Sequence, residues 1–245
     1  MLIEFRVKNF RSFRDEQIFT MIASSDKTLP DNVAITPSID HTRVVKSAVV
    51  LGANASGKSN LIVAMGAPFR LVLNQNKTSL HELDPFLLGK SYANLPSEFW
   101  YEFVVDTVRY LYKVALRHDK IWWEELTSYP KRVPRLLFRR VIHQNTLPDA
   151  ETKEEKYNRE FGNKLRLINS VTPNSRLLLA SIATTNLAPF TKVWAWIKTQ
   201  LLFASGHALP DIIEKDDAER LAEKLNEDAY FRNFVLELVR VAESG

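Results

Sequence analysis

An octapeptide in the first quarter of the chain has the residue types and spacing of a phosphate-binding loop. The pattern G-x-x-x-x-G-K-[ST] is matched by Gly52-Ala53-Asn54-Ala55-Ser56-Gly57-Lys58-Ser59. The two glycines allow a tight turn and a close approach of backbone to a phosphate. The amides from Asn54 to Ser59 can form an anion-binding nest at the positive end of a helix. Lys58 supplies a charge for the β- and γ-phosphates, and the Ser59 hydroxyl suits Mg²⁺. The octapeptide therefore predicts a nucleotide-binding site.

The segments on either side of this loop are expected to be a strand and a helix. Apolar residues at 44–45 and 48–51 precede the loop and predict the strand. The helix is expected to begin at Lys58 and to end or kink near Pro68, because proline inside a helix costs about 3 kcal/mol. Phe69–Leu73 could resume it. A glycine-containing turn that only resembles the motif is the alternative, and the flanking elements disfavour it.

Alternating apolar and polar residues predict an antiparallel sheet within the first 140 residues of the chain. Residues 2–8 alternate strictly, and Gln17–Ile22 is expected to be their hairpin partner, followed by a turn-rich loop over 24–42. Four further runs with strand character are joined by short connections, which favours a meander. These runs cover 98–106, 110–116, 120–127 and 136–140. Their aromatic side chains are expected to form core, in preference to stacking on bases.

The second half of the chain has a helical character. A charged stretch over 149–164 predicts a solvated helix or linker. Helices are expected over 177–183 and 190–203, and residues 211–242 show an amphipathic helical pattern. The predicted fold class is α/β, with two domains at 1–148 and 149–245: a lobe that holds the loop and the meander, and a mainly helical region.

Composition limits the classes of protein to consider. The chain of 245 residues is 45% apolar and has no cysteine, which excludes a disulfide framework and a thiolate metal site. Its five histidines show no ligand spacing, and no apolar run approaches the roughly 20 residues of a membrane span. The N-terminus does not resemble a secretory signal. We expect a cytoplasmic protein that does not enter a membrane.

Two motifs taken together carry a resemblance to a known family. Lys8-Asn9-Phe10-Arg11-Ser12-Phe13, followed by the loop and then by Asn60-Leu61, resembles the ABC-type ATPase heads of the SMC, recombination and repair group. More closely, the chain resembles bacterial stand-alone ATPases of the AAA-type family with ABC-like heads, many of which serve in anti-phage defence. Weaker motifs follow in the order that this family shows, at Ser97–Phe99, Tyr110–Tyr112, Glu124–Leu126 and Asn174–Leu179.

The resemblance implies a P-loop NTPase fold of the ABC type with ATP and Mg²⁺ as ligands. Lys58 would act in catalysis and Ser59 would hold Mg²⁺. Arg11 would lie near the phosphates, although an arginine after a strand is often only a surface residue, and Gln75 is a Q-loop candidate by order alone. The nucleotide-binding residues that the family implies are Arg11, Gly52, Asn54, Ala55, Ser56, Gly57, Lys58, Ser59 and Asn60. The family also implies ATP held between two heads of a homo-oligomer, acting as a switch or scaffold with a toxin or nuclease as effector.

The sequence departs from that family in its hydrolytic parts. No signature motif, Walker B strand ending in Asp-Glu or switch histidine is visible. Phe103–Asp106 is followed by Thr107, and Ile121–Glu125 carries no aspartate, so both are interpreted as ordinary strands. We therefore expect the N-terminal portion of a longer ATPase that by itself binds nucleotide weakly and hydrolyses little.

Two other functions stay open on the sequence. Basic clusters at 131–140 could serve a nucleic-acid-binding module with a structural P-loop, although a solvated polar face is the simpler interpretation. They comprise Lys131, Arg132, Arg135, Arg139 and Arg140, in a chain with 33 basic and 29 acidic residues. The same clusters could form the lid of a small P-loop kinase, but such kinases continue through βα units where this chain predicts a meander. The absence of a guanine-reading motif favours ATP.

Overall fold

The computed structural model of this protein describes residues 1–73, 83–88, 91–117, 120–142 and 155–200, with 226–229, 232–233 and 236. The chain divides into two units, Met1–Lys198 and Thr199–Gly245. The expectations for Gln75, for 201–203 and for most of 211–242 fall outside the described residues.

The strands are β1 (Leu2–Lys8), β2 (Gln17–Thr20), β3 (Val33–Ile35), β4 (Arg43–Val45), β5 (Ser97–Val105), β6 (Val108–Arg117), β7 (Lys120–Tyr129), β8 (Arg135–Val141) and β9 (Lys156–Tyr157). The helices are α1 (Lys58–Leu73), α2 (Gly162–Val171), α3 (Leu178–Ile182) and α4 (Phe190–Gln200).

The first unit is built on a seven-stranded sheet in the order β2-β1-β5-β6-β7-β8-β9, in which each described pair of strands is antiparallel. The predicted hairpin of β1 and β2 is confirmed, and so is the meander from β5 to β8. In a separate pair, β3 lies within the stretch predicted to be loop, and β4 follows that stretch and includes the first two residues of the predicted strand before the phosphate loop. The fold is thus α/β, with a mostly antiparallel sheet and a few helices.

One face of the sheet forms the core against helices. Alternate residues of β1 are buried because every second side chain of a strand points to the same face. Tyr101 of β5 packs on Phe69 of α1 with ring centroids 4.1 Å apart, and Phe103 stacks on Trp196 of α4 at 4.4 Å. The expectation that the aromatic residues of the strands form core is confirmed for these rings.

Helix α1 continues through Pro68 to Leu73, so an end near that residue is wrong, and the expectation that Phe69–Leu73 is helical is confirmed. A proline at 68 has no N–H to offer the carbonyl of Ala64, four residues earlier. The Tyr101 hydroxyl donates to that carbonyl at 3.1 Å and also to the carbonyl of Met65 at 3.1 Å. A hydrogen bond from the sheet therefore replaces one that the helix lacks.

The strand expected directly before the loop is also corrected by the structure. β4 ends at Val45, and the described residues contain no strand paired with 46–51. Val49 and Leu51 are 81% and 86% exposed. A strand that is apolar on both faces is stable only where other elements cover both faces. No described element covers this segment, so it stays outside the sheet.

Two buried charged residues join the sheet to the helical region. Glu124 of β7 accepts hydrogen bonds from the backbone N–H groups of Leu178 and Leu179, at the start of α3, and from the Tyr112 hydroxyl. Arg140, its cross-strand neighbour on β8, donates to three backbone carbonyls, those of Thr172, Pro173 and Arg176. Burial raises the pKa of Glu124, against the effect of these donors and of the Arg140 charge.

Candidate functional site

The Gly52–Ser59 loop turns sharply and leads directly into α1. Ala55 and Gly57 adopt left-handed backbone conformations, with φ of 63° and 98°. A Cβ atom on Gly57 would lie 3.0 Å from Ser12 Oγ and 3.1 Å from the Phe13 ring. Glycine is needed at 57 both for the backbone conformation and for this close approach.

Lys58 folds back over its own loop. Its Nζ donates to the carbonyl oxygens of Gly52 at 2.8 Å and of Ala53 at 2.7 Å. Within the described part of the chain, the backbone N–H groups of Lys58, Ser59 and Asn60 donate to no backbone carbonyl, whereas that of Leu61 donates to Gly57. An ammonium group and the free amides of a helix N-terminus thus lie together, which is an arrangement suited to an anion.

The other predicted loop residues shape this arrangement. Asn54 and Ala55 form the turn itself, and the Ser56 N–H closes it by donating to the Ala53 carbonyl at 3.2 Å. The side chains of Ser59 and Ser56 face solvent, on residues that are exposed. The Ser59 hydroxyl is therefore accessible to a metal ion that accompanies a bound phosphate.

A turn after β1 lies against the loop. Phe10 and Phe13 exchange two backbone hydrogen bonds of 2.8 Å, and the residues Asn9 and Arg11 have positive φ angles. The buried side-chain amide of Asn9 anchors this turn through four hydrogen bonds. Its Nδ2 donates to the carbonyls of Tyr92, Leu95 and Pro96, and its Oδ1 accepts from the Phe86 N–H.

The turn and the start of α1 are connected by side chains. Asn60 Nδ2 donates to Ser12 Oγ at 2.9 Å, and the Phe13 ring lies against Gly57. The sequence motif that contains Asn9, Ser12 and Phe13 predicts no role for these three residues. Only the left-handed glycine opposite them reveals the contact, and a sequence pattern does not contain it.

Arg11 belongs to the same turn. Its backbone N–H donates to the Asp84 carbonyl at 2.9 Å, and its guanidinium carbon lies 5.4 Å from the centre of the Phe10 ring. The same turn contacts the loop through Ser12 and Phe13. Arg11 thus brings a positive charge to this part of the surface.

Asp106 and Glu124, the acidic residues of the two segments compared with a Walker B strand, lie away from the loop. Asp106 follows β5 at the end where Leu2 pairs with Phe103, and its carboxylate binds Lys192 at 2.7 Å. The loop contacts the turn beyond the opposite end of β1, about 20 Å away at roughly 3.3 Å per residue. Glu124 is engaged in the core as described above. Both segments are ordinary strands in the structure.

The arginines of the basic clusters are committed to contacts within the fold. Arg132 pairs with Asp40, Arg135 with Glu160, and Arg139 with Glu125. Arg140 is only 2% exposed. Each of these four arginines thus has a partner within the fold or is buried, while the side chains of Arg132 and Arg135 are 65% and 44% exposed.

No protein-family model matches this chain, and no curated protein matches it. Among the helices in the described ranges, none is long and apolar enough to cross a membrane. The described residues also contain no group of three or more histidine or acidic side chains placed to hold a metal ion.

Proposed function

We propose that this protein binds a nucleoside triphosphate, ATP in preference, with Mg²⁺ at Gly52–Asn60, and that the bound nucleotide acts as a switch. The observation that carries the proposal is the geometry at the start of α1. There a left-handed glycine, a lysine folded over its own loop and three free backbone amides come together. The sheet and the helices around it set that loop on the surface.

Nucleotide binding would replace the contacts that Lys58 makes within its own loop by stronger contacts to phosphate. The Lys58 ammonium, which rests on two neutral carbonyls, would turn to the negatively charged β- and γ-phosphate oxygens, so that the attraction of an ion to a dipole is replaced by that between two opposite charges. The amides of Lys58, Ser59 and Asn60 would complete the cradle, and the Ser59 hydroxyl would hold Mg²⁺. Mg²⁺, when bound, neutralises charge on the phosphate oxygens. Arg11 would add a further positive charge from the neighbouring turn.

The switch is the more suitable role because neither of the two acidic segments compared with a Walker B strand offers a carboxylate to activate water. Asp106 and Glu124 are engaged elsewhere. We propose slow ATP hydrolysis by the described residues alone and closure of the site by a second head. The family resemblance supports a homo-oligomer with ATP between heads, and a place in bacterial anti-phage defence with a toxin or nuclease effector. The engaged arginines give no support to the nucleic-acid alternative, and the meander after α1 gives none to a small kinase.

The proposal is tested by titrating the full chain with a fluorescent ATP analogue in the presence of Mg²⁺. Lys58→Ala is expected to weaken binding at least about tenfold, because it removes a charge-assisted contact. Lys192→Ala is the matched control, since Lys192 pairs with Asp106 far from the loop. Equal affinity of wild type and Lys58→Ala would refute the site, and rapid ATP turnover by the wild type would refute the switch.

A further inference from the structure

We infer that Ser12 is a phosphate-binding residue of the same site, which donates its hydroxyl hydrogen to a phosphate oxygen held at the start of α1. This inference rests on the proposed function. It extends the site beyond the Gly52–Asn60 segment to a turn that lies 40 residues earlier in the chain. No residue-spacing pattern of a phosphate loop includes it.

The first argument is the hydrogen-bond inventory of the hydroxyl. A serine hydroxyl has one hydrogen to donate and two lone pairs to accept with. Ser12 Oγ accepts from Asn60 Nδ2 at 2.9 Å. Among the described residues, Ser12 Oγ makes no other hydrogen bond. The Asn60 bond thus orients the oxygen and leaves its donor available on an exposed residue.

The second argument is position. A Cβ atom on Gly57 would lie 3.0 Å from Ser12 Oγ, so the hydroxyl rests against the residue that immediately precedes α1. The free amides of Lys58, Ser59 and Asn60 begin at the next residue, and the Lys58 ammonium lies on the same loop. A hydroxyl beside these amides suits an anion because it supplies one more hydrogen-bond donor. It does so without placing a carbonyl or carboxylate oxygen, which would repel the anion, next to the site.

The third argument is rigidity. The Asn9 side chain, the Phe10–Phe13 backbone pair and the Arg11 N–H bond to Asp84 hold the turn that carries Ser12. A donor that is already ordered costs little conformational entropy when a ligand binds. A bound phosphate would then connect the end of β1 to the start of α1 through Ser12.

The alternative role for Ser12 is purely structural, as the acceptor that lets Asn60 fasten the turn to α1. The two roles give different results in a set of variants. Ser12→Ala removes the donor and the fastening, Asn60→Ala removes only the fastening, and Ser12→Thr keeps the hydroxyl. Ser170→Ala is the control, since Ser170 is exposed on α2 and its hydroxyl donates to its own helix at Leu167.

The experiment measures binding of Mg·ATP and of tripolyphosphate, which has no base, to the full chain by calorimetry, with thermal unfolding recorded for every variant. Ser12→Ala is expected to weaken both ligands by about the same factor, close to tenfold. Ser12→Thr should bind within about threefold of wild type, Asn60→Ala should lose less than Ser12→Ala, and all unfolding midpoints should stay near the wild-type value.

Two results would overturn the inference while leaving the proposed function intact. One is wild-type affinity of Ser12→Ala for tripolyphosphate, measured beside a wild type that binds Mg·ATP. The other is an equal loss in Asn60→Ala and Ser12→Ala, which assigns the whole effect to fastening. A wild type that binds neither ligand overturns the proposed function itself and the inference with it.

Discussion

Position 57 requires glycine for two separate reasons. Its φ of 98° lies in the region that residues with a Cβ rarely adopt, and Ser12 and Phe13 fill the space where a Cβ would stand. The neighbouring Lys58 has no such constraint on its backbone, and its side chain hydrogen-bonds to two carbonyls of its own loop. At the scale of single residues, therefore, the shape of the site depends on Gly57 and its charge depends on Lys58.

Gly57→Ala is expected to weaken Mg·ATP binding severely, since the loop must either strain or move away from the Ser12 turn. The strain should cost about 1–3 kcal/mol of the free energy of unfolding. Titration with the fluorescent ATP analogue and chemical denaturation measure the two effects. Gly162→Ala is the control, because a Cβ there meets only Tyr157 at an ordinary 3.9 Å and φ is not positive. If Gly57→Ala behaved as Gly162→Ala does, the assigned role of Gly57 would be wrong.

At the scale of secondary structure, α1 depends on the sheet for its continuity. The Ala64 carbonyl, which Pro68 cannot satisfy, receives the hydroxyl of the buried residue Tyr101. The sheet in turn packs its aromatic face on this helix. The helix that presents the phosphate loop and the strand beneath it therefore stabilise each other.

Tyr101→Phe is expected to lower the free energy of unfolding by about 1–3 kcal/mol, because it leaves a buried carbonyl without a donor. Adding Pro68→Ala supplies an N–H to that carbonyl, so the double variant should lose less than the sum of the single effects. A double-mutant cycle by chemical denaturation measures this coupling. Tyr110→Phe is the control, with an expected change within about 0.5 kcal/mol, since the Tyr110 hydroxyl makes no hydrogen bond among the described residues. Strict additivity in the cycle would show that the hydroxyl does not replace the missing helical bond.

At the scale of the whole first unit, a buried acid connects the sheet to the helical region. Glu124 binds the start of α3, and Arg140 binds the carbonyls just before it. Because burial raises the pKa of Glu124 above its ordinary value of 4.5, the folded state holds the proton more tightly than the unfolded state does. The corresponding stability is present at low pH and is lost as the pH rises through the folded-state pKa.

Replacing Glu124 tests the direction in which its pKa is shifted. The difference in free energy of unfolding between wild type and Glu124→Gln is expected to fall as the pH rises above 4.5, since only the wild type loses the proton. Chemical denaturation of both proteins between about pH 4 and pH 8 measures it. A difference that grows with pH would mean that the donors around Glu124 outweigh its burial, and that its pKa is lowered.

Much of this architecture could be predicted from local pattern. The alternation of residues 2–8, the hairpin with β2, the meander and the aromatic core follow from side-chain periodicity and short connections, and each is confirmed. The pattern of residue types likewise identifies Gly52–Ser59 as a candidate phosphate loop. Its function in nucleotide binding stays a prediction until the titration is done.

The remaining features could not be predicted because they depend on contacts between distant residues. The sequence determined which segments alternate and where a phosphate loop could form, since both are properties of neighbouring residues. Only the tertiary structure decided that α1 passes through Pro68, because the compensating donor is on Tyr101. It also decided that 46–51 lies outside the sheet and that Ser12 stands at Gly57, because both depend on what surrounds a segment in space.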